Sequence, residues 1–302
     1  MINRRGYLRL SALFAACGGA LWLWPTPAHS GLKITFLDVG QGDSIVVETP
    51  DNHVLIVDTG GSMGKDNMGH RVVVPFLRSH GIRSIDGLLM THPDEDHIAG
   101  ADWILQNFPV KHVMISGIPS ENFHYNSALE TARKKSIPVQ LMCEKTFLDF
   151  HDGVTAEALN PSEDTMVSHN NGSIVLRVKY GVTGILLTGD AEIGAELRMV
   201  SLRANLKADV LKLGHHGSHT SSTDPFMDAV HPQAVVISAG RKNRFGHPHR
   251  DVVDRMKVRG IRVFRTDLQG SIELTSDGKH IEMSGKKPLA EADQWLSGSQ
   301  VH

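Results

Sequence analysis

The 302-residue chain has only two cysteines, Cys17 and Cys143. Cys17 lies in what reads as a removable leader, so the mature chain would form no intramolecular disulfide and has no CxxC-type zinc site. Any metal must therefore be held by histidine and carboxylate. Aromatic residues are also scarce, at 6%, which argues against an extensive base-stacking surface. No low-complexity tract or internal repeat is visible. Positive charge is not in excess either: 31 Lys and Arg face 33 Asp and Glu, which excludes a broadly cationic chain that binds polyanions through net charge alone. What the sequence does have is 40% hydrophobic residues, enough at this length to bury one large core.

The first thirty residues differ from the rest. "MINRRGYLR" is basic, "LSALFAACGGALWLW" is apolar, and "PTPAHSG" offers small residues at Ala28 and Ser30. This is the pattern of a secretory signal peptide. The apolar run is shorter than the ~20 residues that span a bilayer, and Pro25 and Pro27 end it. Arg4 and Arg5 also resemble a twin-arginine signal, which exports proteins already folded around a cofactor. A periplasmic or secreted protein is expected, with a domain over residues 31–285 and a frayed tail over 286–302. Without residues 1–30, 28 basic residues face 33 acidic ones, a formal net charge of −5.

From residue 32, "LKITFLDV", "DSIVVET" and "HVLIVDTGG" read as three successive strands, joined by "GQG" and "PDN" turns. Helical and strand patterns then alternate, a second β-rich stretch follows from "VTAEALN" to "TGILLTGD", and alternation resumes. Asp224 as N-cap with Pro225 behind it marks one helix start. Two halves of the same kind predict an α/β fold of two mixed sheets stacked face to face with helices outside, an αββα sandwich.

Each unusual polar cluster follows a predicted strand: Asp58, "HPDEDH", Asp190, His215 with His216, and His247 with His249. Strand ends on one edge converge, so these clusters form one candidate site. In "HPDEDH", Pro93 shapes a turn from which His92 and Asp94 can reach one cation and Asp96 with His97 another. Two-metal hydrolytic centres hold their ions ~3.5–4 Å apart. Strand parity with Leu211 and Leu213 favours His215 over His216 as the later ligand.

"HPDEDH" is similar to the HxHxDH signature of the metallo-β-lactamase superfamily in its HxDxDH form. "LDVGQGDS", "VDTGG", "NNGSIVLRV", "LLTGDAE", "LKLGHHGSHTSS" and "GHPH" resemble, in order, the C-terminal domain of ComEC-type competence proteins. The likeness covers nearly all of residues 32–275. It implies an αββα hydrolase with two divalent cations. His92 and Asp94 would bind one, Asp96 and His97 the other, Asp190 would bridge them, and His215 would be the remaining ligand. Asp58 would brace the "HPDEDH" loop from behind. The pattern departs in two places: Asp94 stands where a second histidine is usual, and Asn170 and Asn171, with His169 beside them, stand where many members have a lone histidine. Oxygen ligands draw preference from zinc toward manganese, so both ions are candidates.

Residues 241–265 hold nine basic and two acidic side chains, a local net of +7. The helix at 250–259 accounts for about half of these as an ordinary solvated face. Arg241, Lys242 and Arg244 instead lead to His247 in the loop at the expected mouth. With Ser218 and His249 they favour a phosphate-bearing substrate, possibly DNA. Asp96 or the bridging Asp190 would orient the attacking hydroxide, and His216 or His247 would protonate the leaving alkoxide. A lactam, lactone or thioester is the second substrate class. A non-catalytic nucleic-acid-binding module is the alternative of a different kind, and the complete ligand set speaks against it.

Overall fold

Along strand Val54–Val57 every residue is buried, yet its side chains serve two different cores. Leu55 and Val57 pack in one cluster and Val54 and Ile56 in another. Strand Ile85–Met90 divides likewise, with Leu89 on one side and Leu88 and Met90 on the other. Side chains alternate across a strand, so a run that is apolar at every position has both faces covered. The computed structural model describes residues 31–63, 66–162 and 168–287. The expected signal peptide, and the expected tail from residue 288 onward, lie outside them. Lys286 and Lys287 are described, and their amides donate to the carbonyls of Ser271 and Gln269.

Two mixed sheets result. The eight-stranded sheet runs from Ile281–Gly285 through Ile272–Ser276, Leu32–Phe36, Ile45–Glu48, Val54–Val57, Ile85–Met90 and Val110–Ile115 to Val139–Leu141. The seven-stranded sheet runs from Arg262–Arg265 through Ala234–Ile237, Val210–Lys212, Thr183–Leu187, Val175–Tyr180 and Val154–Asn160 to Phe147–Asp149. Three clusters of buried side chains define the layers. Ile34, Phe36 and Val57 meet Ala156, Val178 and Val236 between the sheets. Val73, Leu77 and Ile104 cover the back of the first sheet, and Met199, Phe226 and Val252 cover the back of the second. This is the αββα sandwich.

One helix boundary differs from expectation. Helix Asp224–Val230 has Thr223 at its N-cap position, which puts Pro225 one residue further in. The segment before the helix is held from another helix, Ile193–Ser201, where buried Glu196 accepts the amides of Ser222 at 2.6 Å and Thr223 at 2.8 Å. The Asp224 carboxylate instead accepts from Arg259 at 2.7 Å.

Candidate metal centre

The parallel strands of each sheet point their C-terminal ends to one edge of the sandwich, where Asp58 and residues 91–97 come from the first sheet and residues 188–192, 213–219 and 238–249 from the second. At their meeting point Asp190 is central. Its Oδ1 lies 3.3 Å from His97 Nε2, and its Oδ2 lies 3.3 Å from His216 Nε2 and 4.0 Å from His92 Nε2. His216 Nε2 is also 3.3 Å from Asp96 Oδ2, and His92 Nε2 is 3.7 Å from Asp94 Oδ2.

The far nitrogen of each ring is tied down. His97 Nδ1 bonds Asp58 Oδ2 at 2.8 Å, His92 Nδ1 meets Thr91 Oγ1 at 3.0 Å, and His216 Nδ1 meets the Ser238 carbonyl at 2.9 Å. Thr91 Oγ1 itself donates to Asp58, so it accepts from His92. Anchoring Nδ1–H in this way aims each Nε2 inward. Those three Nε2 atoms and Asp190 Oδ1 are buried and have no hydrogen-bond partner. A buried polar atom left unpaired costs about 1–3 kcal/mol. Four of them converging is the arrangement a cation would satisfy. His92, His97 and Asp190 bring ligand atoms within 4.8 Å of one another, and so do Asp96, His97 and His216. The donor set, imidazole nitrogens with carboxylates, fits zinc or manganese.

Charge is arranged with equal care. Burial alone would raise the Asp190 carboxyl, but His216 and His97 outweigh it and hold Asp190 well below the usual carboxylate range. Burial likewise opposes charge on His216, but Asp190 and Asp96 overcome it and hold the imidazole up at about 9. His92 goes the other way, pushed well down by burial and by the charge of His97. His247, 5.3 Å from His215 and 6.2 Å from His216 between ring centroids, is pushed down to about 4 by burial and by those two rings.

The predicted site residues separate into groups. His92, Asp96, His97 and Asp190 come together in the cluster. Asp58 stands behind it, accepting from the backbone and hydroxyl of Thr91 as well as from His97. Asp94 stands at the margin, half exposed, with its Oδ1 2.7 Å from His169 Nδ1. His215 is as near Asp190 as His92 is, with its Nε2 3.9 Å from Asp190 Oδ2, but it is partly exposed, and its Nδ1 is 3.0 Å from Glu192 Oε1. The parity argument for His215 fails because the strand ends at Lys212. His215 and His216 both adopt left-handed backbone beyond it, with φ of 47° and 55°. The Asn171 side chain accepts the Ala195 amide at the start of helix Ile193–Ser201.

Two residues that the sequence reading passed over lie beneath the cluster. Lys212, fully buried, pairs with buried Asp43, donates to the Gly189 carbonyl at 2.9 Å and sits 3.8 Å from Asp190 Oδ1. Asp43 and Asp190 outweigh burial and keep this lysine charged, its pKa raised. The available signal was a lysine inside the apolar strand "VLKLG". Asp43 belongs to "GQGDS", whose Gly42 presses on the Asp96 backbone so closely that a Cβ would lie 1.9 Å from the Asp96 carbonyl oxygen.

On the rim, Arg241, Lys242 and Arg244 are exposed. Asn243 organises their loop by accepting the amides of Phe245 and His247. His249 Nδ1 accepts the His219 amide at 3.1 Å, and buried Ser218 bonds Thr220. Further along, much of the local positive charge is paired: Arg259 with Asp224 and Asp228, Arg265 with Asp267, and Arg255 near Asp251.

The family model of the metallo-beta-lactamase superfamily matches residues 37–241. The chain is 34% identical over 266 residues to ComE operon protein 3 of Bacillus subtilis, covering 84% of this chain and 34% of that protein. It is 34% identical over 241 residues to Competence protein ComA of Neisseria gonorrhoeae, covering 80% of this chain and 32% of that one. The chain thus spans about a third of the length of these curated relatives. Among solved structures, the metallo-beta-lactamase fold protein YhfI of Bacillus subtilis is similar in fold, with a TM-score of 0.50 at 12% identity, covering 78% of this chain and 96% of that one.

Proposed function

The chain belongs to the metallo-beta-lactamase superfamily, and from that premise we propose that it is an exported dinuclear metal-dependent phosphodiesterase acting on nucleic acid. The reading rests on one observation above others, the convergence of unpartnered Nε2 atoms of His92, His97 and His216 on Asp190. His92 and Asp94 would hold one cation, Asp96, His97 and His216 the second, and Asp190 would touch both. Asp43, Asp58, Asp94, Asp96 and Asp190 against Lys212 leave four formal negative charges, which two divalent cations match. Such ions, zinc or manganese, supply Lewis acidity toward a phosphoryl oxygen and lower the pKa of a water.

The protein's own groups divide the remaining work. Asp58 and Thr91 hold His97 and His92 in the tautomers that leave Nε2 free. Arg241, Lys242 and Arg244 attract the phosphate backbone to the mouth. His216, with Nδ1 on the Ser238 carbonyl and Nε2 given to a cation, would have no nitrogen left to deliver the proton, which leaves His215 and His247. His215, oriented at Nδ1 by Glu192, presents Nε2 toward Asp190 and takes that role at the leaving alkoxide. Export, to the periplasm or beyond, rests on the composition of residues 1–30.

Elemental analysis, with assays on single-stranded oligonucleotide and on bis-p-nitrophenyl phosphate, tests the proposal. Asp96→Asn and His216→Ala are expected to lose bound metal together with activity. His215→Ala keeps its metal and loses about 10²- to 10⁴-fold in kcat, the usual worth of a positioned proton donor. Loss of metal in His215→Ala with retention in His216→Ala reverses the ligand assignment. A metal-loaded protein that opens a lactam, lactone or thioester and cleaves neither phosphodiester removes the substrate class. A metal-free protein that only binds oligonucleotide removes the enzyme.

A further inference from the structure

Phe245 is 48% exposed, and it lies on the loop that leads to His247. Its loop is no loose tip. The Asn243 side chain accepts the amides of Phe245 and His247 and donates to the carbonyl of Gly240, while the Gly240 amide donates to Gln41. The ring is nearly parallel to His247, at 20° and 5.7 Å between centroids, and the Arg244 guanidinium lies 4.8 Å over it. His247 in turn stands edge-on to His215 at 5.3 Å. A fixed, solvent-reachable planar surface therefore sits one ring away from the candidate metal centre, on the loop that carries Arg241, Lys242 and Arg244.

We propose that Phe245, with the Arg244 guanidinium, is a stacking platform for an unpaired nucleobase beside the phosphate that is cleaved. Planar π-faces bind any base, and cationic neighbours hold the adjoining phosphates, the combination by which single strands are gripped without sequence preference. A base inside a duplex is already stacked and gains nothing from the ring. The platform makes Phe245 a positioning and specificity residue, since a base fixed there sets which phosphate reaches Asp190. The inference deepens the phosphodiesterase reading, and its test is independent of turnover.

Binding of a labelled single-stranded oligothymidylate and of an abasic strand of equal length, both with phosphorothioate linkages that resist cleavage, is measured on the metal-loaded protein by fluorescence anisotropy. The wild-type protein should prefer the base-bearing strand by roughly 5- to 150-fold, the range that stacking of one base covers. Phe245→Ala should bind both strands alike, and Phe245→Trp should restore the preference. No preference in the wild type, or an undiminished preference in Phe245→Ala, overturns the platform. A protein that cleaves bis-p-nitrophenyl phosphate but ignores bases loses the platform and keeps the hydrolase. One that prefers bases but cleaves no phosphodiester loses the hydrolase and keeps the platform.

Discussion

His92 and His97 face each other with ring centroids 4.2 Å apart, and their neighbours decide which of them carries charge. Burial opposes protonation of both. His97 overcomes it with the carboxylates of Asp190 and Asp58 and is raised well above the ordinary imidazole value, whereas His92 is lowered. His216 rises to about 9 for the same reason. Both raised groups gain protons on folding, so their protonation stabilises the metal-free protein fully below the ordinary value of 6.5, and for His216 that stability is lost as pH rises through about 9. A cation must displace those protons. Metal affinity should therefore climb between pH 6.5 and 9, with proton release on loading. Titration calorimetry in buffers of different ionisation enthalpy checks this, and an affinity flat across that window would contradict the assignment of His97 and His216 as ligands. The sequence made His92, Asp96 and His97 legible because the ligand types crowd into six positions after one strand. It could not choose between His215 and His216, because alternation carries no information once the backbone leaves the strand. Asp43 and Lys212 escaped because their pairing exists only after the two sheets have stacked.

At the scale of elements, the second half of the site is carried by a connection rather than by a strand. Residues 213–223 link strand Val210–Lys212 to helix Asp224–Val230 and hold both His216 and Ser218. Glu196 reaches across from helix Ile193–Ser201 and takes the amides of Ser222 and Thr223. Arg255 bonds the Ser222 carbonyl from a third helix, Arg250–Val258. Burial raises the Glu196 carboxyl above its usual range, a cost the two amides offset. Glu196→Ala would strand both donors and is expected to cost about 1–3 kcal/mol. Urea denaturation measures that loss, and an unchanged midpoint would show that the tether does not hold the connection. Glu196 could be read as one more polar residue of an amphipathic helix, and nothing local marks it as a cap for another helix. The sandwich itself was legible because buried strands and helices leave strong apolar patterns. Strands Phe147–Asp149 and Ile281–Gly285 were not, since they lie at sheet edges and present no fully buried face.

At the scale of the whole molecule, the site is a seam. Asp58, His92, Asp96 and His97 come from the first sheet, and Asp190 and His216 from the second. Cations held there would join the two halves at one edge, while the core between the sheets holds them elsewhere. Cys143, exposed and free, is the cysteine of the described residues, so no disulfide performs that joining among them. The metals should accordingly act as a removable cross-link. Binding that favours the folded state stabilises by about 2.7 kcal/mol when free ligand is 100-fold above its Kd. For a domain of this size that corresponds to a rise in Tm of roughly 5–10 °C. Chelation should lower the melting temperature by about that amount. Far-UV circular dichroism at room temperature should stay unchanged, because the three apolar clusters and the Lys212–Asp43 pair need no metal. Differential scanning fluorimetry before and after chelator, with elemental analysis confirming removal, decides the matter. Identical melting curves would mean that the seam is closed by protein contacts alone, and a collapse of secondary structure on chelation would mean that the apolar clusters cannot hold the sandwich by themselves.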